Sequence, residues 1–228
     1  MNRLLDRNDN LSIIIAGIFA IIIGLGVARF AFTSLIPSML VNHLDITFAG
    51  ILASLNFAGY LSGSLLSIFI KDINQKVLLF RFGVVLAITS TLALALNSND
   101  TVWIVARILA GFAGAMTFVV GSAIVMTKLQ MESKTKAMGI HFSGIGFSIL
   151  TTDLINRYVL SSGGSWQDSW LVLAIFAFVI SIYSVYILSF DKKVKQNVVK
   201  HGFDKSIFTF FVVLLIIVYF AEGVGFVV

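Results

Sequence analysis

Cysteine is absent from the 228 residues, proline occurs once, at Pro37, and charged side chains make up only 12%. Without cysteine there are no disulfide scaffolds, thiolate zinc sites or cysteine nucleophiles. A single proline does not suit a collagen-like or Pro-rich disordered chain. A soluble domain carries about 25% charged and about 45–50% apolar residues. Here 58% are hydrophobic, 21 are Phe, and the mean hydropathy is +1.00, which fits neither a water-soluble globule nor intrinsic disorder. The net charge of +5 and pI near 9.6 would suggest nucleic acid if the basic residues formed one patch. They do not, and their distribution points elsewhere.

A membrane-crossing helix needs about 20 consecutive, largely apolar residues. Seven such segments run roughly over 12–40, 47–70, 77–97, 102–127, 137–160, 168–190 and 206–228, with short connections between them. The first is not a cleaved leader, because its apolar run from Leu11 to Ala28 is too long for a signal h-region and lacks a small-residue cleavage site.

Lys and Arg in short loops set orientation. Arg3 and Arg7 lie in the N-terminal tail, and Lys71, Lys76 and Arg81 at the second connection. Lys128, Lys134 and Lys136 fall at the fourth, and Lys192, Lys193, Lys195, Lys200 and Lys205 at the sixth. The odd-numbered connections hold only Arg157, while Arg29 and Arg107 lie inside apolar segments. The N-terminus is therefore expected to be cytoplasmic. Trp103, Trp166 and Trp170 then fall at the outer interface, where amphipathic indoles are favoured. The basic sixth connection reads as a topology determinant facing lipid headgroups, with no nucleic-acid partner.

Gly24-Leu25-Gly26 in the first segment is echoed 199 residues later by Gly223-Val224-Gly225 in the seventh. That offset suits a duplicated membrane protein with six helices per half. Expected units are a six-helix half at 1–190, a basic cytoplasmic linker at 191–205 and a truncated seventh helix at 206–228 that opens a second half.

The stretch from Gly24 to Met39, a glycine pair followed by Ala28-Arg29-Phe30 and by Pro37, resembles the first-helix signature of the YbfB/YjiJ-type group of the major facilitator superfamily. Gly59-Tyr60-Leu61 with Gly63, and Glu222-Gly223 with Gly225-Phe226, are similar to further segments of that group. Arg107 with Gly111, Gly114 and Ala115 resembles the superfamily's fourth-helix motif. The helix 2–3 motif departs, with Ser67 where Asp is expected. The fifth segment has Gly139, Gly144 and Gly146 but no Gly-Pro pair, which leaves the direction of transport open. The resemblance implies an all-α membrane protein, a six-helix transporter half-bundle of two three-helix repeats plus a partial seventh helix. It also implies proton-coupled secondary transport of a small molecule by alternating access. The alternative is a non-transporting truncated fragment of such a transporter.

A charge at membrane depth costs about 2.5 kcal/mol or more, so it usually faces a polar cavity or a partner. Arg29, Arg107, Asp153 and Glu222 all lie between the midplane and the outer third, where mutual contact is feasible. Either the arginines hold a polar or anionic substrate group while a carboxylate exchanges a proton, or the four form a structural ion-pair network. Function is favoured at Arg29 and Glu222, which sit beside glycine pairs that permit close approach. Asn56 and His141 are polar candidates in apolar runs, and His141 is either a proton relay or a hydrogen-bonded packing residue. Gly50, Ser54, Ala58 and Ser62 in the second segment, and Ala106, Ala110 and Gly114 in the fourth, read as helix-packing ladders.

Enzyme readings are weak. The three histidines, His43, His141 and His201, are far apart in sequence and form no HExxH, which argues against a metalloprotease. Ser122 and Ser148 lie near glycines, but sequence spacing supplies neither with a histidine base. The seventh segment lacks a lysine for a retinal Schiff base. The expected partners are the lipid bilayer of the cell membrane, a small-molecule substrate, protons and a second six-helix half, with no metal or cofactor.

Overall fold

The computed structural model describes residues 5–41, 43–129 and 134–190, together with residues 210, 214, 217 and 218. Residues 1–196 form one compact unit and 197–228 another. Among the described residues, six helices are long and apolar enough to cross a membrane. They are α1 (Asn10–Met39), α2 (Ile46–Phe69), α3 (Ile73–Leu96), α4 (Asp100–Lys128), α5 (Lys134–Ser161) and α6 (Trp166–Ile187). In the second unit the four described positions are helical; the rest of the expected seventh helix and the basic linker lie outside the described residues.

Polar caps start the helices. The Asp9 carboxylate accepts from the Leu11 and Ser12 amides at α1, Asp45 from Phe48 at α2, and Asp72 from Asn74 and Gln75 at α3. Asn99 does the same for Thr101 and Val102 at α4, and Ser165 with Asp168 forms a capping box at α6. Each cap satisfies amides that the first turn leaves without a helical acceptor. Because Asp72 starts α3 at Ile73, Lys76 and Arg81 lie on its opening turns and not in the connection. Lys134 and Lys136 likewise sit on the first turn of α5.

Burial repeats every three helices. The most apolar stretch of α1 is 78% buried and that of α4 61%; α2 and α5 are each 22% buried, and α3 and α6 each 44%. Such a pattern is what two three-helix repeats produce when the first helix of each is central and the second peripheral. The two central helices share a further feature, a π-helical stretch: Ile22–Phe30 in α1 and Met116–Val120 in α4. The second helix of each repeat packs on the first helix of the other, α2 on α4 and α5 on α1.

Glycines set these approaches. A Cβ at Gly111 would strike the Asn56 carbonyl, and one at Gly59 the Ile108 carbonyl, so α2 and α4 touch backbone to backbone. The face of α2 that packs carries Ala49, Leu52, Asn56, Gly59 and Gly63. Gly50, Ser54, Ala58 and Ser62 are exposed, which corrects the ladder expected there. Four-residue spacing marks a face of a helix but not which face is covered. In α4 the expected Ala106, Ala110 and Gly114 are buried.

Side chains from neighbouring helices also reach the carbonyls of α1. Ser184 of α6 donates to Ala16 at 2.8 Å, Asn56 of α2 to Ala28 at 3.1 Å, and Asn156 of α5 to Ala31 at 3.4 Å. Without water to compete, such bonds hold membrane helices together, at about 0.6 kcal/mol each on average.

Candidate functional site

Although α1 is mostly buried, Arg29, Phe30, Thr33, Ser34 and Pro37 of its second half are exposed or half-buried. Their spacing forms one stripe. It borders α2 through Arg29, whose guanidinium lies 4.2 Å from the Phe57 ring centre and 5.2 Å from that of Tyr60, with Phe30 of α1 at 5.5 Å. Aromatic faces offset part of the cost of a cation at this depth. Toward α5, Phe30, Thr33 and Ser34 line a cleft of about 480 Å³ together with Gly146, Ile149, Leu150, Thr152 and Asp153. The stripe is thus a polar face between the two least buried helices.

Behind it, Arg107 is buried and engages the π-helical part of α1. Its Nη1 donates to the Ala28 carbonyl at 3.4 Å, and its guanidinium stacks 4.2 Å from the centre of Phe32. Asn56 ties the same point together, its Nδ2 donating to the carbonyls of Ala28 at 3.1 Å and Arg107 at 3.0 Å. Three helices thereby meet at one carbonyl. Neither arginine has a carboxylate within 4.0 Å among the described residues. Arg107 Nε has no hydrogen-bond partner among them either.

Asp153 pairs within its own helix. Its carboxylate accepts from Arg157 Nε at 2.6 Å, one turn further along α5, on an exposed face. Asn156, beside it, is buried and donates to Ala31 and to the Ser34 hydroxyl. The sequence singled out Asp153 but neither Arg157 as its partner nor Asn156. The i, i+4 spacing of Asp153 and Arg157 was the available signal. Glu222 lies outside the described residues.

His141 is fully buried toward the opposite end of α5. Its Nε2 lies 2.9 Å from the Ser122 hydroxyl of α4, a partnership that sequence spacing did not supply. Its Nδ1 has no hydrogen-bond partner among the described residues and abuts Gly17 of α1, where a Cβ would come within 2.5 Å. Gly17 therefore makes the space that His141 fills.

The Gly24–Gly26 pair serves packing. A Cβ at Gly24 would meet Thr117 and the Gly114 carbonyl of α4; one at Gly26 would meet the Ser148 carbonyl of α5 at 2.9 Å. The close approach that this pair permits is made by two neighbouring helices. All three tryptophans are buried within the bundle. Trp103 and Trp166 enclose His43, with ring centres 4.9 and 4.8 Å away, and Trp103 Nε1 donates to the Asn97 carbonyl. Their indoles close the end of the bundle and do not form a lipid-facing belt. Composition could place them near the helix ends, but not say which way they point.

Among the described residues no group of three or more His, Asp or Glu side chains converges where a metal ion could be held. No curated protein matches the chain. A family model described as "Uncharacterised MFS-type transporter YbfB" matches residues 21–228.

Proposed function

The chain belongs to this YbfB-type family of the major facilitator superfamily, and on that premise we propose that it works as a proton-coupled secondary transporter of a small molecule in the cell membrane, its N-terminus cytoplasmic. Residues 1–190 act as one six-helix half, 191–205 as a cytoplasmic linker, and 206–228 as the opening of the second half. The observation that carries this reading is the polar stripe of α1, which presents Arg29, Thr33 and Ser34 at membrane depth between peripheral helices. A charge so placed is expected to serve a substrate or ion pathway.

In this reading Arg29 contacts substrate, while Arg107 and Asn56 hold the π-helical backbone of α1 that carries it. Rocking of one half against the other exposes the stripe alternately to the two sides. Glu222 carries the coupling proton, and Asp153 and His141 are the next candidates. Transport, not catalysis, is the activity.

The test is reconstitution of the full chain in proteoliposomes with a pH-sensitive dye inside and a panel of small organic solutes outside. At least one solute should drive proton movement. Glu222→Gln keeps shape and hydrogen bonding but fixes the neutral state, so it should abolish proton-driven accumulation while solute exchange survives. Proton-driven accumulation that persists in Glu222→Gln would assign the proton to Asp153 or His141. The absence of any solute-coupled flux would remove the transport reading.

A further inference from the structure

We propose that the substrate held at Arg29 is an organic monocarboxylate with an apolar, ring-sized body, an inference that rests on the transport reading for its physiological meaning but not for its binding chemistry. A guanidinium stays charged in the membrane and presents a planar fork of donors. The groups that surround Arg29 are the rings of Phe57, Tyr60 and Phe30, and no carboxylate lies within 4.0 Å of it among the described residues. Arg107 adds a second positive charge behind the stripe, its Nη1 committed to the carbonyl of Ala28, the residue before Arg29. Two cations in a water-poor setting make the stripe attractive to an anion and repulsive to a cation.

The number and kind of donors narrow the anion. Phosphate asks for several donors around three oxygens, whereas rings occupy the space next to Arg29. One guanidinium fork matches the two oxygens of one carboxylate in a bidentate pair. Phe57 is exposed, and Tyr60 and Phe30 are half-buried, so the same rings that flank the cation offer apolar walls to the rest of the molecule. The Asp153 carboxylate, across the stripe at α5, is occupied by Arg157 and leaves Arg29 free to take an external anion.

The test is thermal unfolding of the purified full chain in detergent, titrated with benzoate, phenylacetate and hexanoate. The corresponding amides and benzylamine serve as neutral and cationic counterparts. At least one carboxylate should stabilise the protein saturably, its amide and the amine should not, and Arg29→Lys should weaken the apparent affinity about tenfold, because a point charge cannot replace the fork. Arg29→Gln should lose the response altogether. If the Arg29 variants fail to fold, Phe57→Leu, which leaves the guanidinium intact, should weaken phenylacetate several-fold more than hexanoate. Stabilisation by amides equal to that by carboxylates, no response to any carboxylate, or wild-type affinity in Arg29→Lys would each overturn the proposal. Carboxylate binding that needs Arg29, with no coupled flux of any solute in proteoliposomes, would sink the transport reading and leave the anion site standing. Counterflow confined to neutral solutes would do the reverse.

Discussion

At the scale of single residues, the two polar nodes differ in what they bear. Asn56 spans three helices with one amide, donating to Ala28 and Arg107 while its Oδ1 has no partner among the described residues. Asn56→Ala should therefore cost about 1–2 kcal/mol of folding stability, read from thermal or denaturant unfolding in detergent. An unchanged midpoint would mean that the tether is idle. The Asp153–Arg157 pair is exposed, and such pairs contribute about 0–1 kcal/mol. Asp153→Asn should leave the melting temperature within error of wild type, so that any accompanying loss of solute flux reports function. A clear drop in melting temperature would instead make Asp153 structural. Both residues stood out in the sequence as polar positions in apolar runs. That Asn56 reaches Ala28 did not, because this hydrogen bond between α2 and α1 joins positions 28 residues apart that only packing brings together.

At the scale of elements, glycine matters by location. Gly111 faces the Asn56 carbonyl with no room for a methyl group, whereas Gly139 and Gly146 on α5 have nothing within 4 Å of where a Cβ would lie. Gly111→Ala should force α2 from α4 and lower the yield of monodisperse protein in fluorescence-detected sizing, while Gly139→Ala and Gly146→Ala should leave it unchanged. Equal yields for all three would contradict the backbone contact. The π-helical stretches in α1 and α4 were not legible in the sequence at all. Gly24 and Gly114, whose backbones abut across the helix pair, suggested close approach, but not the wider winding.

At the scale of the whole molecule, the charge bias predicts which end of the bundle faces the cytoplasm. In this cysteine-free chain, Ser98→Cys lies between α3 and α4 and spares the Asn99 cap; Ser133→Cys lies between α4 and α5. An impermeant thiol reagent applied to intact cells should label position 98 and not 133. The opposite pattern would invert the orientation and with it the cytoplasmic place of the linker.

Spans and their order follow from composition alone, because a bilayer demands about 20 apolar residues per crossing whatever the neighbours are. Thus all six described helices match expected segments to within a few residues, the largest shift being at α3, where the Asp72 cap starts the helix early. Which face of each helix is covered is a different matter. In lipid, apolar residues are at home on either side, so hydrophobic patterning does not separate inside from outside as it does in water. Only the packed structure decides that Gly59 and not Ala58 meets α4, that the tryptophans turn inward around His43, that Asp153 answers to Arg157, and that Arg29 is left among aromatic rings on an open stripe.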